Sequence, residues 1–187
     1  MIAALFVAAS LAVPGNFLLY EKAAAKKDPN PEHSWNVSGK KTAQLVVDPC
    51  QKARLGLAGR TAARTIVYTA VPDYSKSEQV ILYSSPETAA KAVGELRTAV
   101  RTCGTAGYRY SQAKVALGDE AVLVTGQAYD HGKPAVGGER AVVARRANAL
   151  ILYTVAGEWG KPAKADFSRQ RKDAGTMLAK ICELAEC

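Results

Sequence analysis

Histidine is nearly absent: the 187 residues hold two, His33 and His131. His33 lies in a proline-containing polar stretch and His131 in the loop Asp130-His131-Gly132-Lys133-Pro134. Both read as solvated. A nucleophile or a metal needs a supporting base or ligand set, and none is visible. There is no Gly-x-Ser-x-Gly, Walker or dinucleotide-binding pattern. Gly56-Leu57-Ala58-Gly59 is too short and lacks a strand–helix context. Asp119-Glu120 is an acidic pair, but neighbours on a strand point to opposite faces, so it reads as turn chemistry. No run of five basic residues occurs, although Lys and Arg number 25 against 17 Asp and Glu, a net charge of +8. Such a balance suits anionic surroundings without choosing among lipid, wall polymer and nucleic acid. No nucleic-acid motif accompanies it. There is no internal repeat or low-complexity tract. A non-enzymatic protein with no catalytic residue, metal or cofactor is expected, without nucleic acid as a partner.

What is present describes architecture and compartment. Hydrophobic residues make up 48% of the chain, which excludes a disordered polymer. Ile2 to Val13 is an apolar run broken by Ser10, with the length of a signal-peptide core. Ala23-Ala24-Ala25 places small residues at a signal-peptidase position, but no basic stretch precedes the run, and Pro14-Gly15-Asn16 interrupts the segment. A membrane anchor over residues 2–20 is the rival reading, with Lys22, Lys26 and Lys27 flanking it. Residues 1–25 are therefore expected to be a signal peptide or N-terminal membrane anchor, 26–43 a linker, and 44–187 the folded domain. The protein is expected outside the cytoplasm, secreted or held at the membrane.

Four cysteines, Cys50, Cys103, Cys182 and Cys187, accompany that export segment and read as two disulfides. Three connectivities are open. Cys50–Cys103 with Cys182–Cys187 is favoured; these would contribute roughly 4 and roughly 2 kcal/mol in the chain-entropy model. The second requires the last helix to unwind after Cys182.

Ser85 to Gly104 organises the rest. Ser85 suits an N-cap, Pro86 the first helical position and Glu87 the first turn. Ala89, Val93, Leu96, Val100 and Cys103 form one apolar stripe, widened by Ala92 and Ala99, and Gly104 stops the helix. Asp48 or Pro49 could open a short helix carrying Cys50. Strands are predicted over Arg64–Val71, Gln79–Tyr83, Tyr108–Val115, Ala121–Tyr129, Glu139–Arg146 and Ala149–Ala156. Trp159 to Pro162 reads as a loop, and a second helix runs from Ala163 or Asp166 to about Cys182. This order predicts an α+β domain: an antiparallel sheet of about five or six strands with both main helices on one face.

Particular stretches resemble the extracytoplasmic sensor domain of actinobacterial membrane serine/threonine kinases, the PknH-like family, and its stand-alone secreted members. They are Ser84-Ser85-Pro86-Glu87-Thr88-Ala89-Ala90 with Arg101-Thr102-Cys103, Leu117-Gly118-Asp119-Glu120-Ala121, Val142-Val143-Ala144-Arg145-Arg146 before Ala149-Leu150-Ile151-Leu152, and the late Cys182. The resemblance covers about Val46 to Cys187. It implies an antiparallel sheet with packed helices, two disulfides and a cleft for an unidentified ligand. These stretches come without a kinase domain, so any signalling role is expected to pass through another protein.

No motif marks the cleft. Tyr68, Tyr83, Tyr108, Tyr110, Tyr129 and Tyr153 fall mostly on predicted strands, and tyrosine suits a cleft wall because it joins an apolar body to a polar tip. Tyr108, Arg109, Tyr110, Arg145 and Tyr153 are the candidate ligand-binding residues, with Arg146 a further possible anion contact. The reading is an extracytoplasmic ligand-binding or sensor module, monomeric, taking a small molecule or a cell-envelope component. The alternative is a secreted envelope-interaction protein whose basic surface meets anionic lipid or wall polymer.

Overall fold

The computed structural model describes residues 12–26, 28–51, 54–157 and 164–187. Most of the apolar run from Ile2 to Val13, and the expected loop from Trp159 to Pro162, lie outside these residues.

A seven-stranded antiparallel sheet forms the centre of the domain. Its strands are β1 (His33–Ser38), β2 (Arg60–Ala70), β3 (Tyr74–Tyr83), β4 (Tyr108–Lys114), β5 (Glu120–Asp130), β6 (Lys133–Arg146) and β7 (Ala149–Gly157). The spatial order is β1-β2-β3-β7-β6-β5-β4. Two meanders, β1–β3 and β4–β7, are thus joined through the β3–β7 pair. The expected five or six strands become seven because β1 lies in the stretch read as linker. Only His33, Trp35 and Ser38 of that edge strand are half-buried, so its alternation is faint.

Among the described residues there are three α-helices, α1 (Glu21–Ala24), α2 (Pro86–Thr102) and α3 (Lys164–Lys180), the last running into a single 3-10 turn at Ile181–Glu183. Helix α2 begins as its sequence dictates. Ser85 is extended, and its Oγ accepts the Thr88 amide at 3.2 Å. Ala89, Ala92, Val93, Leu96, Ala99 and Val100 are its buried side.

The expectation that both helices share one face is corrected. Ala89, Val93, Leu96 and Val100 of α2 pack with Ile81, Tyr83, Val122, Val124, Ala141, Val143, Leu150 and Leu152. Ala174, Met177 and Leu178 of α3 pack with Val80, Leu82, Val142, Ala144, Ile151 and Tyr153. These strand positions alternate, so the helices lie on opposite sides of the sheet. The physical reason is that β6 and β7 are apolar on both faces: Ala141–Ala144 and Ala149–Tyr153 are buried without interruption. A strand of that kind needs cover on both sides.

The second core has a further contributor. Val13, Phe17 and Leu18 are buried against the α3 side of the sheet. Glu21 is buried there and paired with Arg64. Glu78, fully buried on β3, accepts the amides of Leu19 (2.9 Å) and Tyr20 (2.7 Å) and the hydroxyl of Tyr153 (2.6 Å). Residues 13–21 therefore pack as part of the domain's body. Among the described residues no helix is long and apolar enough to cross a membrane.

Both disulfides have the favoured connectivity, Cys50–Cys103 and Cys182–Cys187, with Cα separations of 5.1 and 5.3 Å. The second closes across the 3-10 turn, where the α-helix has ended.

Candidate functional site

On the α2 side the sheet is apolar beneath the helix and polar beyond it. Thr65, Ser77, Gln79, Glu139 and Thr154 are all buried. They share the parity of Ala63, Ile81, Ala141 and Leu152, which face α2. Gln79 ties a covering segment to this region. Its Nε2 donates to the Gln44 carbonyl (3.0 Å) and to Thr65 Oγ1 (2.8 Å), and its Oε1 accepts the Val46 amide (3.2 Å). Leu45 and Val47 then enter the core, and the chain delivers Asp48, Pro49 and Cys50 to the end of α2. No helix opens at Asp48. A turn closes there instead, with the Gln51 amide donating to the Asp48 carbonyl at 3.1 Å.

The Cys50–Cys103 bridge borders a cavity of about 590 Å³, lined by Pro49, Cys50, Gln51, Cys103, Gly104, Thr105, Tyr108 and Tyr110. That volume lies in the range of small-molecule sites. Tyr108 and Tyr110 are two residues apart on β4, so both face it, with ring centroids 5.1 Å apart. Register explains the space they occupy. Tyr110 pairs with Gly126, and Gly126 with Glu139, in one row across β4, β5 and β6. A Cβ at Gly126 would meet Tyr108 Oη at 2.5 Å and Cε1 at 2.8 Å, so the missing side chain is what lets the Tyr108 ring lie on the sheet.

Glu139 closes the row. It is 9% exposed. Burial, and secondarily the Asp48 carboxylate, push its pKa up to about 7. Burial, then the Glu139 charge, push Tyr108 up to about 12, against a smaller opposing effect of Arg140. Tyr110 is raised by the same two causes, with Tyr108 and Asp48 adding to them.

A second cavity, about 690 Å³, runs along the outer side of α2 from Cys50, Arg54 and Leu55 to Thr102. Its polar groups are Arg54 and the α2 surface residues Lys91, Glu95, Thr98 and Thr102, and none of these is buried.

The remaining candidates are dispersed. Arg109 turns to the other side of β4 and lies 4.2 Å from the centre of the Tyr129 ring. Arg145 sits at the far end of the sheet. It holds Glu120 (2.9 Å) and Asp119 (3.1 Å) and donates to the Ala147 carbonyl (2.9 Å). Asp119 also accepts the Ala147 amide at 2.7 Å, which pins the β6–β7 turn, and Arg97 joins Glu120 at 3.1 Å. Arg145 is thus a structural residue. Tyr153 is fully buried on the α3 side. Trp35 and Tyr68 form an aromatic group near the β1 end, with Tyr20 beside them, but Lys76 already fills it at 5.1–5.3 Å from the three rings.

His33 is bound to Asp28 at 2.8 Å, and His131 is an exposed hairpin residue whose Nε2 lies 3.8 Å from Asp130. Neither faces the cavity. Sequence reasoning found Tyr108 and Tyr110 but missed Pro49, Gln51 and Thr105 beside them, and Gly126 and Glu139 in the row behind. A signal for Glu139 was present: it is in phase with Ala141 and Val143, so a charge recurs on an otherwise inward-facing series.

No family model and no curated protein matches the chain. Solved structures do. The extracellular domain of PknH from Mycobacterium tuberculosis superposes with a TM-score of 0.54 at 14% identity, over 89% of this chain and 91% of that one. An uncharacterized Mycobacterium smegmatis protein, the Rv0999 ortholog, matches at 14% identity over 81% of this chain and 90% of the other, with a TM-score of 0.38. The second value is too low to carry an argument. The first establishes a shared fold, so the PknH-like resemblance read from the sequence is matched by the architecture.

Proposed function

We propose that this is an extracytoplasmic ligand-binding module of the sensor type, without catalytic activity of its own. The observation that carries the reading is the cavity beside Cys50–Cys103. It has two tyrosine walls and a rigid disulfide rim, with Gln51 and Thr105 as its polar side chains. Location outside the cytoplasm is supported by the two disulfides, with no free cysteine among the described residues, and by the fold shared with an extracellular domain.

The reading is tested with ring-labelled tyrosine and a panel of small envelope-type compounds: amino sugars, polyol phosphates, short peptides and amines. Saturable shifts confined to Tyr108 and Tyr110 are expected for at least one class. Silence of these two tyrosines across the panel counts against the module.

A further inference from the structure

On the α3 side of the sheet one row runs across the first three strands. Trp35 of β1 pairs with Tyr68 of β2, and Tyr68 with Lys76 of β3. Partners in such a row project from the same face, so two rings and an ammonium stand side by side. The Trp35 and Tyr68 ring centres are 4.7 Å apart, and both residues are half-buried. With Lys76, Lys26, Asp28 and Pro29 they line a separate cavity of about 380 Å³.

The chemistry of this cavity is set by what already sits in it. Aromatic faces attract a cation, and that position is taken. Lys76 Nζ lies 5.1 Å from the Trp35 and Tyr68 ring centres and 5.3 Å from that of Tyr20. A ligand cation would meet Lys76 and, from the exposed segment before β1, Lys26. An anion meets two ammoniums. Asp173 of α3 also acts on Lys76, but its carboxylate takes the Tyr20 hydroxyl at 3.2 Å, and the Arg169 guanidinium opposes its effect. Burial pushes the Lys76 pKa down, a cost that a bound anion offsets.

Asp28 supplies the opposite function. Its Oδ1 accepts the Asn30 amide at 3.0 Å, and its Oδ2 lies 2.8 Å from His33 Nδ1. A carboxylate has about four acceptor positions, so Asp28 can also accept hydroxyl protons from a ligand. Trp35 and Tyr68 offer apolar surface to the C–H groups of a ring. Free phosphate would leave those rings uncovered. An aromatic acid would bring no hydroxyl donor to Asp28, and a neutral sugar would leave the ammoniums unmatched.

We propose that this cavity binds an acidic saccharide of the hexuronate class. Its ring lies on Trp35 and Tyr68, its carboxylate meets Lys76 and Lys26, and its hydroxyls donate to Asp28. The site is independent of the Tyr108–Tyr110 cavity, which lies on the α2 side of the sheet, and either can fail without the other.

The chain holds two tryptophans, so Trp159→Phe leaves Trp35 as the sole reporter. Its fluorescence is followed in the full chain, at neutral pH and low salt, against glucuronate, glucose, benzoate and inorganic phosphate. Glucuronate is expected to change it saturably. Glucose is expected to bind at least about tenfold more weakly, the loss that accompanies one charge-assisted contact. Lys76→Met keeps an apolar stem over the rings and removes the charge. It is expected to weaken glucuronate by about the same factor and to leave glucose unchanged. Lys26→Gln alters an exposed side chain, so it spares the fold, and is expected to weaken glucuronate severalfold. Glucose binding as tightly as glucuronate, or glucuronate binding that neither lysine variant weakens, would overturn the proposal. Benzoate or phosphate binding with glucuronate inert overturns the saccharide, and silence of Trp35 towards all four overturns the site. Each of these results leaves the tyrosine cavity, which is read by labelled tyrosine, standing.

Discussion

At the scale of single residues, Glu139 sets a pH dependence of stability. Its ordinary pKa of 4.5 rises to about 7 on folding, mainly through burial. Between those values the folded state holds a proton that the unfolded state has released, so stability falls as pH rises through that interval. The loss is complete above pH 7 and amounts to no more than about 3 kcal/mol. Glu139→Gln keeps the shape and removes the charge. Urea titrations at pH 5 and pH 8 are expected to show the parent protein less stable at pH 8 by 1–3 kcal/mol relative to this variant, and little difference between the two at pH 5. Equal midpoints at pH 8 would show that Glu139 is better solvated than its 9% exposure indicates. Arg145 shows the opposite outcome for a charged residue. Its guanidinium is fully employed by Asp119, Glu120 and Ala147, so a conspicuous basic residue becomes a strut.

At the scale of elements, α2 was legible almost residue by residue. Its cap, its proline and its stripe are local signals, and local signals survive into the fold. The side of the sheet on which each helix lies is not local. It follows from β6 and β7 being apolar on both faces, a pattern visible in Val142-Val143-Ala144 and Leu150-Ile151-Leu152 once it is read as two-sided. Strand β1 was hidden because it is an edge strand with little apolar content. The segment before it illustrates the same limit. Phe17, Leu18 and Tyr20 look in sequence like the tail of an apolar run, yet Phe17 and Leu18 fill the core on the α3 side. The Leu19 and Tyr20 amides satisfy Glu78. Deleting residues 1–24 removes those apolar groups and two hydrogen bonds to a buried carboxylate, and is expected to cost at least about 3 kcal/mol. A urea midpoint unchanged by the deletion would show that this segment adds nothing to the body of the domain.

At the scale of the whole molecule, two staples close very different loops. Cys50–Cys103 spans 53 residues and binds the covering segment to the end of α2; Cys182–Cys187 spans 5 and closes the chain's end. Loss of the first by the paired change Cys50→Ser and Cys103→Ser is expected to cost roughly 4 kcal/mol, and of the second roughly 2 kcal/mol. The first change is also expected to abolish ligand-induced tyrosine shifts, because the cavity loses its rim. The cavity itself was only half legible: two tyrosines spaced by two residues marked one wall. Behind that wall, Tyr110, Gly126 and Glu139 form a row across three strands, which no spacing within one strand reveals.

The most direct measurement is the intact mass of the protein, with and without reduction, taken from the extracytoplasmic and cytoplasmic fractions of an expressing actinobacterial host. The expected result is a species outside the cytoplasm that lacks four hydrogens relative to its reduced form and still contains residues 17–21. Four free thiols on a protein confined to the cytoplasm would contradict a disulfide-stapled extracytoplasmic module, and the sensor role would fall with it.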